Sequence, residues 1–314
     1  MGGILGIVIS STPDPSQYGP SRTRSLPAIE AQWLACVAQM ASAGKEAIRP
    51  HLGRASGRVV LGQGAGGDRT LEVDRVSEEA IQRALAAQAP FPHRLVSEES
   101  GISGPLDAGW LVVVDPVDGS LNAKRGLAPF CVSIAVADGT TMGDVRVGHV
   151  EDYLRPNIFS AVKGFGVIAA GEPGVALEPE RFENDLVEVI LLEAGRPDRH
   201  HFRFHDLSAM GAVGRSQDMR IRQIGSLALA LCYVATGVAD ILVAAVRSRS
   251  VDVAAGLLIL TEAGGGVATL AGGDVWDQPL DLEKRCAFVA WRAGLDGAEI
   301  VARARGLREA LLHP

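Results

Sequence analysis

The chain has no paired cysteines, no basic stretch and no long hydrophobic run, and each absence removes a class of function. Its four cysteines, Cys36, Cys131, Cys232 and Cys286, lie far apart and form no CxxC pair. That argues against a disulfide framework and against a cysteine-rich zinc module. Their neighbours are apolar, in LACVA, PFCVS, ALCYV and KRCAF. They read as buried free thiols in a reducing compartment, so a cytoplasmic location is expected. Lys and Arg number 30 against 37 Asp and Glu, for a net charge of −7. No basic footprint exists for a nucleic acid polymer, and none is expected as a partner. No stretch reaches about 18 uninterrupted apolar residues, so neither a membrane span nor a membrane partner is expected. The opening MGGILGIVIS has an apolar run without a basic flank, too short for a signal peptide.

What is present is an ordinary globular composition, 47% hydrophobic and 21% charged. The length of 314 residues suits two domains or one large one. Residues 10–25, SSTPDPSQYGPSRTRS, are rich in Ser, Pro and Arg, and residues 1–25 read as a disordered leader. The pattern of residues 27–50 predicts an amphipathic helix. SEEAIQRALAAQ (77–88) predicts a helix capped by Ser77. HRLVSEES (93–100) and WLVVV (110–114) predict strands, the second ended by Pro116. FCVSIAVAD, DVRVGHVED, NIFSAVKG and GVIAAG are spaced as an antiparallel meander. A cluster of Gly, Pro and Glu at 171–185 suggests a seam between an N-terminal half (26–180) and a C-terminal half (181–314). The second half alternates strands (186–194, 239–246, 286–291) with helices (226–237, 251–265, 296–311).

Gly62, Gly64 and Gly67 match GxGxxG after a short apolar run, the pattern that binds dinucleotides. The context does not follow. GDRTLEVD stands where a helix should open, and Glu78 and Glu79 fall in a predicted helix rather than at a strand end. The favoured reading is a glycine-rich loop. HHFRFH (200–205) places His201 and His205 four apart, the spacing of a helical zinc pair, but no third ligand accompanies them.

DPVDGSLN (115–122) directly follows the apolar WLVVV. Asp115 and Asp118 can converge at the strand's exit, where two carboxylates would resist joint ionisation. A divalent cation removes that conflict, and Mg²⁺ prefers oxygen ligands shared with a substrate phosphate. Gly119 allows close backbone approach to an anion, and a helix starting at Ser120 would add free amides for a phosphate. Glu98, in SEES, ends the preceding strand, and Asp252 opens the helix VDVAAG. Each alone reads as a turn, a cap or a surface acid. Together they form one acidic set.

These blocks, with RQIGSLALALCYVATGVAD and VDVAAGLLILTEAGG, resemble the inositol monophosphatase-like, magnesium-dependent phosphatases. That group includes archaeal-type fructose-1,6-bisphosphatases and nucleotide 3′-phosphatases. The resemblance spans about residues 27–291. It implies a layered αβαβα fold of α+β and α/β halves, two or three Mg²⁺ ions, and a homodimer. It implies Glu98, Asp115 and the Val117 carbonyl as ligands of one metal. Asp115, Asp118 and Asp252 would hold another, and the loop at 62–67 would lie near a third. Asp118, Gly119 and Ser120 would bind phosphate. Glu98, Ser120 and Asp74, the last pairing with the Ser120 hydroxyl, would be catalytic.

The implied function is hydrolysis of a small phosphorylated metabolite, a sugar or cyclitol phosphate, by metal-activated water. Fructose 1,6-bisphosphate, a nucleotide 3′-phosphate and a specialised metabolite stay open as substrates. A non-catalytic relative that keeps the fold is the alternative from another class. Three positions depart from the family pattern. Val251 replaces a tryptophan, and Ser120 replaces a threonine while keeping the hydroxyl. Ala245 replaces a glutamate that contacts inositol, which argues against an inositol phosphate. Gly225, Ser226, Arg247 and Arg249 are the candidate substrate contacts. The two arginines suit a second anionic group, against the alternative of a solvated loop.

Overall fold

The computed structural model describes residues 9–10, 26–67, 69–170, 186–193, 219–270, 273–283 and 286–312. The 171–185 seam, the His201/His205 pair and most of the expected leader lie outside the described residues. Within the leader, Ile9–Ser10 forms a short strand.

The chain runs through β1 (Ile9–Ser10), α1 (Ala28–Ile48), β2 (Val60–Gln63), β3 (Arg69–Leu71) and α2 (Glu72–Gln88). It continues with β4 (His93–Ser97), β5 (Gly101–Ser103), β6 (Trp110–Asp118), α3 (Ser120–Arg125) and β7 (Cys131–Ala137). Next come β8 (Val145–Asp152), β9 (Ile158–Val162), β10 (Gly166–Ala170), β11 (Val189–Glu193) and β12 (Arg220–Arg222). The last elements are α4 (Leu227–Ala235), β13 (Ile241–Ser248), α5 (Ser250–Glu262), β14 (Gly266–Thr269), β15 (Cys286–Trp291) and α6 (Gly297–Leu312). An eight-stranded sheet has the order β1-β10-β9-β8-β7-β6-β4-β5, and a five-stranded sheet the order β12-β11-β13-β15-β14. The expected meander holds, because β6 to β10 pair antiparallel in sequence order.

Strand alternation builds the layers. In β6, Val112 and Val114 face one core, and Leu111 and Val113 face the other. In β7, Val132, Ile134 and Val136 join the first set, and Cys131, Ala135 and Ala137 the second. A period of two in a strand forces this division. α1 and α2 cover the first face, with Trp33, Val37, Met40 and Ile81 buried there. α4 and α5 cover the second. The five-stranded sheet repeats the device: Leu242, Ala244, Phe288 and Ala290 face α4 and α5, while Ile241, Val243 and Val289 face Ile300 and Ala304 of α6. The result is the αβαβα layering. α4 and α5 are buried between two sheets, which is why both are apolar around nearly their whole circumference.

Two boundaries differ from expectation. α2 starts at Glu72, not after Ser77, because the Asp74 carboxylate accepts the Leu71 N–H at 2.7 Å and caps the helix a turn earlier. Ser77 is buried and donates to the Pro116 carbonyl at 3.0 Å. β6 continues past Pro116 to Asp118, with its register against β7 shifted between Asp115 and Asp118. Pro116 therefore sits in a bulge rather than at a terminus.

Trp33 is fully buried, with the Trp110 ring centroid 5.7 Å away. Trp33→Ala should lower the unfolding free energy by about 3–5 kcal/mol, read from urea denaturation. A loss within error would show that α1 does not anchor this core.

Candidate active site

β4 and β6 are parallel neighbours, with Ser97 opposite Val114. The Glu98 N–H continues the ladder to the Val114 carbonyl at 3.2 Å. The next residues along, Glu98 just past β4 and Asp115 just before the bulge in β6, therefore lie side by side. The bulge then turns the chain. Asp115 Oδ1 accepts the Val117 N–H at 3.0 Å. The Pro116 carbonyl accepts from Ser77 and, at 2.8 Å, from the Tyr153 hydroxyl. Gly119 has φ of +95°, and a Cβ there would lie 3.0 Å from the Gly225 carbonyl. Only glycine fits this turn into α3. From the opposite side, α5 brings Asp252 in its first turn. One oxygen each from Glu98, Asp115 and Asp252 lie within 4.8 Å of one another.

Asp118 is buried and held from α4. Its Oδ2 accepts from the Ser226 hydroxyl at 2.7 Å and from the Ala228 N–H at 2.7 Å. Ser226, expected at the substrate, thus spends its hydroxyl on Asp118. Ile224 and Gly225 donate their N–H groups to Glu193 Oε1 at 2.9 and 3.0 Å. Asn122 Nδ2 donates to the carbonyls of Ile224, at 2.7 Å, and Pro129, at 2.8 Å. Glu193 and Asn122 were not anticipated as positioning residues. The available signals were an acid ending the apolar run VEVILLE and an amide closing DPVDGSLN.

The Ser120 hydroxyl donates to the Val117 carbonyl at 2.9 Å. Asp74 Oδ1 is buried without a hydrogen-bond partner. Ser120 is near enough to influence the Asp74 carboxyl, though less than burial does. The glycine-rich loop is tied to the same place. Gly66 N–H donates to the Glu98 carbonyl at 2.7 Å, and Ala65 N–H to that of Glu99 at 3.0 Å. This loop leads from β2 into the antiparallel β3, not into a helix, so it lacks the strand–helix setting of a dinucleotide site.

Arg249 departs from its expected place. Its side chain is 8% exposed, with Nη2 2.7 Å from Glu98 Oε1 and 2.9 Å from Asp252 Oδ1. Its Nη1 donates to the Gly66 carbonyl at 3.1 Å. It lies inside the acidic cluster instead of in a solvated loop. Arg247, two residues earlier, is exposed.

Crowded carboxylates in low dielectric resist ionisation. Burial raises Glu98 to about 8, against the opposing pull of Arg249. Asp115 is pushed well above the usual range by burial and then by Glu98. Burial raises Asp118 to about 7 and Asp74 to about 7. For Arg249, burial works against its charge, yet Asp252 and Glu98 hold its pKa above the ordinary arginine value. An oxygen-only donor set with excess negative charge, already holding one cationic group, fits a hard divalent cation such as Mg²⁺.

A family model described as the inositol monophosphatase family matches residues 30–312. The fructose-1,6-bisphosphatase/inositol-1-monophosphatase of Thermococcus kodakarensis is 31% identical over 267 residues, covering 83% of this chain and 93% of that one. The Nus factor SuhB of Pasteurella multocida is 36% identical over 207 residues, covering 66% and 73%. Among solved structures, an inositol monophosphatase-fructose 1,6-bisphosphatase superposes with a TM-score of 0.70 at 25% identity, covering 88% of this chain and 99% of that one. The Thermotoga maritima IMPase superposes with a TM-score of 0.68 at 25% identity, covering 89% and 99%.

The raised carboxylates give metal-free protein a defined pH dependence. A group whose pKa is higher in the fold than in the unfolded chain stabilises the fold fully below its unfolded value, near 4. That stability is lost as pH rises through the folded values, about 7 for Asp74 and Asp118 and about 8 for Glu98. The melting temperature of chelator-treated protein should fall between about pH 4 and pH 8 and level off above it. Asp74→Asn, which keeps an oxygen for the Leu71 N–H, should flatten part of that fall. A melting temperature that rises over this interval would contradict the assignment.

Proposed function

The chain belongs to the inositol monophosphatase family of phosphatases, and from that membership we propose that it hydrolyses a small phosphorylated metabolite with the help of two or three Mg²⁺ ions. The observation that carries the reading is the convergence of Glu98, Asp115 and Asp252 oxygens within 4.8 Å, beside the Gly119–Ser120 turn. Magnesium held by Glu98, Asp115, the Val117 carbonyl, Asp118 and Asp252 would neutralise phosphate charge and activate water.

The chain's own groups supply the rest. The backbone at Gly119 and Ser120, with Asp118 before them, receives the phosphate. Ser120 has one hydroxyl proton, given to the Val117 carbonyl in this structure. The unpartnered Asp74 Oδ1 is an alternative acceptor for that proton. Donation to Asp74 leaves the Ser120 oxygen free to accept from, and so orient, the attacking water. Most of the catalysis is positioning and electrostatics.

For substrate, Ala245 offers no side-chain oxygen to a cyclitol hydroxyl. This favours a sugar phosphate, fructose 1,6-bisphosphate included, over an inositol phosphate, while relatives near 30% identity are named for both activities. A nucleotide 3′-phosphate and a specialised metabolite remain in the same class. Arg247 is the exposed cation for a second anionic group and Gly225 a backbone contact. Arg249 and Ser226 are engaged elsewhere. We further propose a cytoplasmic homodimer. The buried free thiols Cys36, Cys131 and Cys232 support a reducing compartment, and no helix among the described residues is long and apolar enough to cross a membrane. The dimer rests on the family resemblance.

A second reading is a non-catalytic binding protein. It is favoured by Arg249 among the carboxylates and by a relative named as a Nus factor. The complete acidic set argues against it.

The test is phosphate release from fructose 1,6-bisphosphate, inositol 1-phosphate and an adenosine 3′,5′-bisphosphate, with and without Mg²⁺. Release should require Mg²⁺ and fall below about one hundredth in Asp115→Asn, at least the loss typical of disturbing a metal's surroundings. Arg247→Ala should raise KM for bisphosphates only. No release from any ester would favour the binding reading.

A further inference from the structure

The guanidinium of Arg249 occupies an unusual place. Its Nη2 bridges Glu98 Oε1 and Asp252 Oδ1 at 2.7 and 2.9 Å, and its Nε lies 3.2 Å from both Asp252 oxygens. A fully charged side chain at this depth is retained only with such partners. The chain around it is shaped to admit it. A Cβ on Gly66 would fall 2.5 Å from Arg249 Nη1 and 3.1 Å from Glu98 Cγ. The Gly66 carbonyl in turn accepts from that same nitrogen. One side chain therefore joins β4, α5 and the glycine-rich loop.

Glu98 and Asp252 are two of the three acids whose oxygens converge. An oxygen pair that faces a guanidinium cannot also face a divalent cation across the same gap. Two positive charges at contact, in low dielectric, repel strongly. The geometry points to Arg249 as a resident counter-ion that competes with the metal: it holds the Glu98–Asp252 pair and ties the Gly66 loop to it without metal, and a divalent cation enters by displacing it and removing that side-chain tether, the loop's backbone bonds to Glu98 and Glu99 remaining. This rests on the metal-site reading above. It goes further by making metal affinity depend on an arginine that binds no metal. Metal entry exchanges one cation for another, so the Glu98–Asp252 pair faces a positive charge in both states. Arg249 thereby weakens metal binding and steadies the metal-free fold.

The test is Mn²⁺ binding to the chelator-stripped full chain by isothermal titration, with melting temperature measured in parallel. Arg249→Met should bind Mn²⁺ at least about fivefold more tightly than the native chain, the lower end of ordinary linkage between coupled equilibria. It should also melt lower without metal. Gly66→Ala, which crowds the guanidinium far more closely than it presses on Glu98 Cγ and removes no carboxylate, should tighten Mn²⁺ binding in the same direction. It keeps the question answerable should Arg249→Met not fold. Unchanged or weaker Mn²⁺ binding in folded variants would overturn the inference and leave the metal site intact. Absence of Mn²⁺ binding in the native chain and the variants alike would overturn both.

Discussion

Like charge gathered where water is scarce is the constraint that organises this molecule. Glu98, Asp115 and Asp118 are buried, Asp252 nearly so, and oxygens of Glu98, Asp115 and Asp252 converge within 4.8 Å. In low dielectric such a group is stable only with a cation or with protons. The local structure can be read as provision for it. The bulge at Pro116 and Val117 re-aims the strand between Asp115 and Asp118, which stay paired with Ser133 and Cys131. Ser226 and the start of α4 satisfy Asp118, and Arg249 answers Glu98 and Asp252. The raised carboxylates and the held arginine are two responses to one electrostatic problem.

The scaffold makes that concentration mechanically possible. Parallel pairing of β4 with β6 sets Glu98 beside Asp115, one residue beyond the Ser97–Val114 pair on each strand. The helix pair α4 and α5, clamped between two sheets, carries Asp252 and the donors to Asp118 on a support that cannot easily yield. The hydroxyls of Ser77 and Tyr153 brace the Pro116 carbonyl from behind. The acids therefore stand on elements whose other faces are buried in two separate cores. The glycine-rich loop is the lightly held component, attached through the backbone of Glu98 and Glu99 and the side chain of Arg249.

Much of this was legible in the sequence. The unbroken apolar run WLVVV announced a buried strand, and the spacing of FCVSIAVAD and the runs after it gave the meander. DPVDGSLN and VDVAAG named the acids, because a strand end and a helix start are where carboxylates can be concentrated. What escaped were features set by tertiary packing. The start of α2 depended on Asp74 serving as a cap, which the pattern at Ser77 obscured. Asn122 and Glu193 act across more than thirty residues of chain on the turn before α4, and no local motif marks them. Arg249 read with Arg247 as a candidate contact for a second anionic group, since sequence spacing does not show that one side chain points into a cluster assembled from β4 and α5.

The central claim is that these carboxylates form a cation site which Arg249 otherwise fills. The most direct measurement is an anomalous difference map from a crystal of the native chain soaked in Mn²⁺, compared with a metal-free crystal. The account predicts a peak among Glu98, Asp115 and Asp252, with the Arg249 guanidinium moved away from Glu98 and Asp252. A peak elsewhere, or none while Arg249 keeps both contacts at high Mn²⁺, would contradict it.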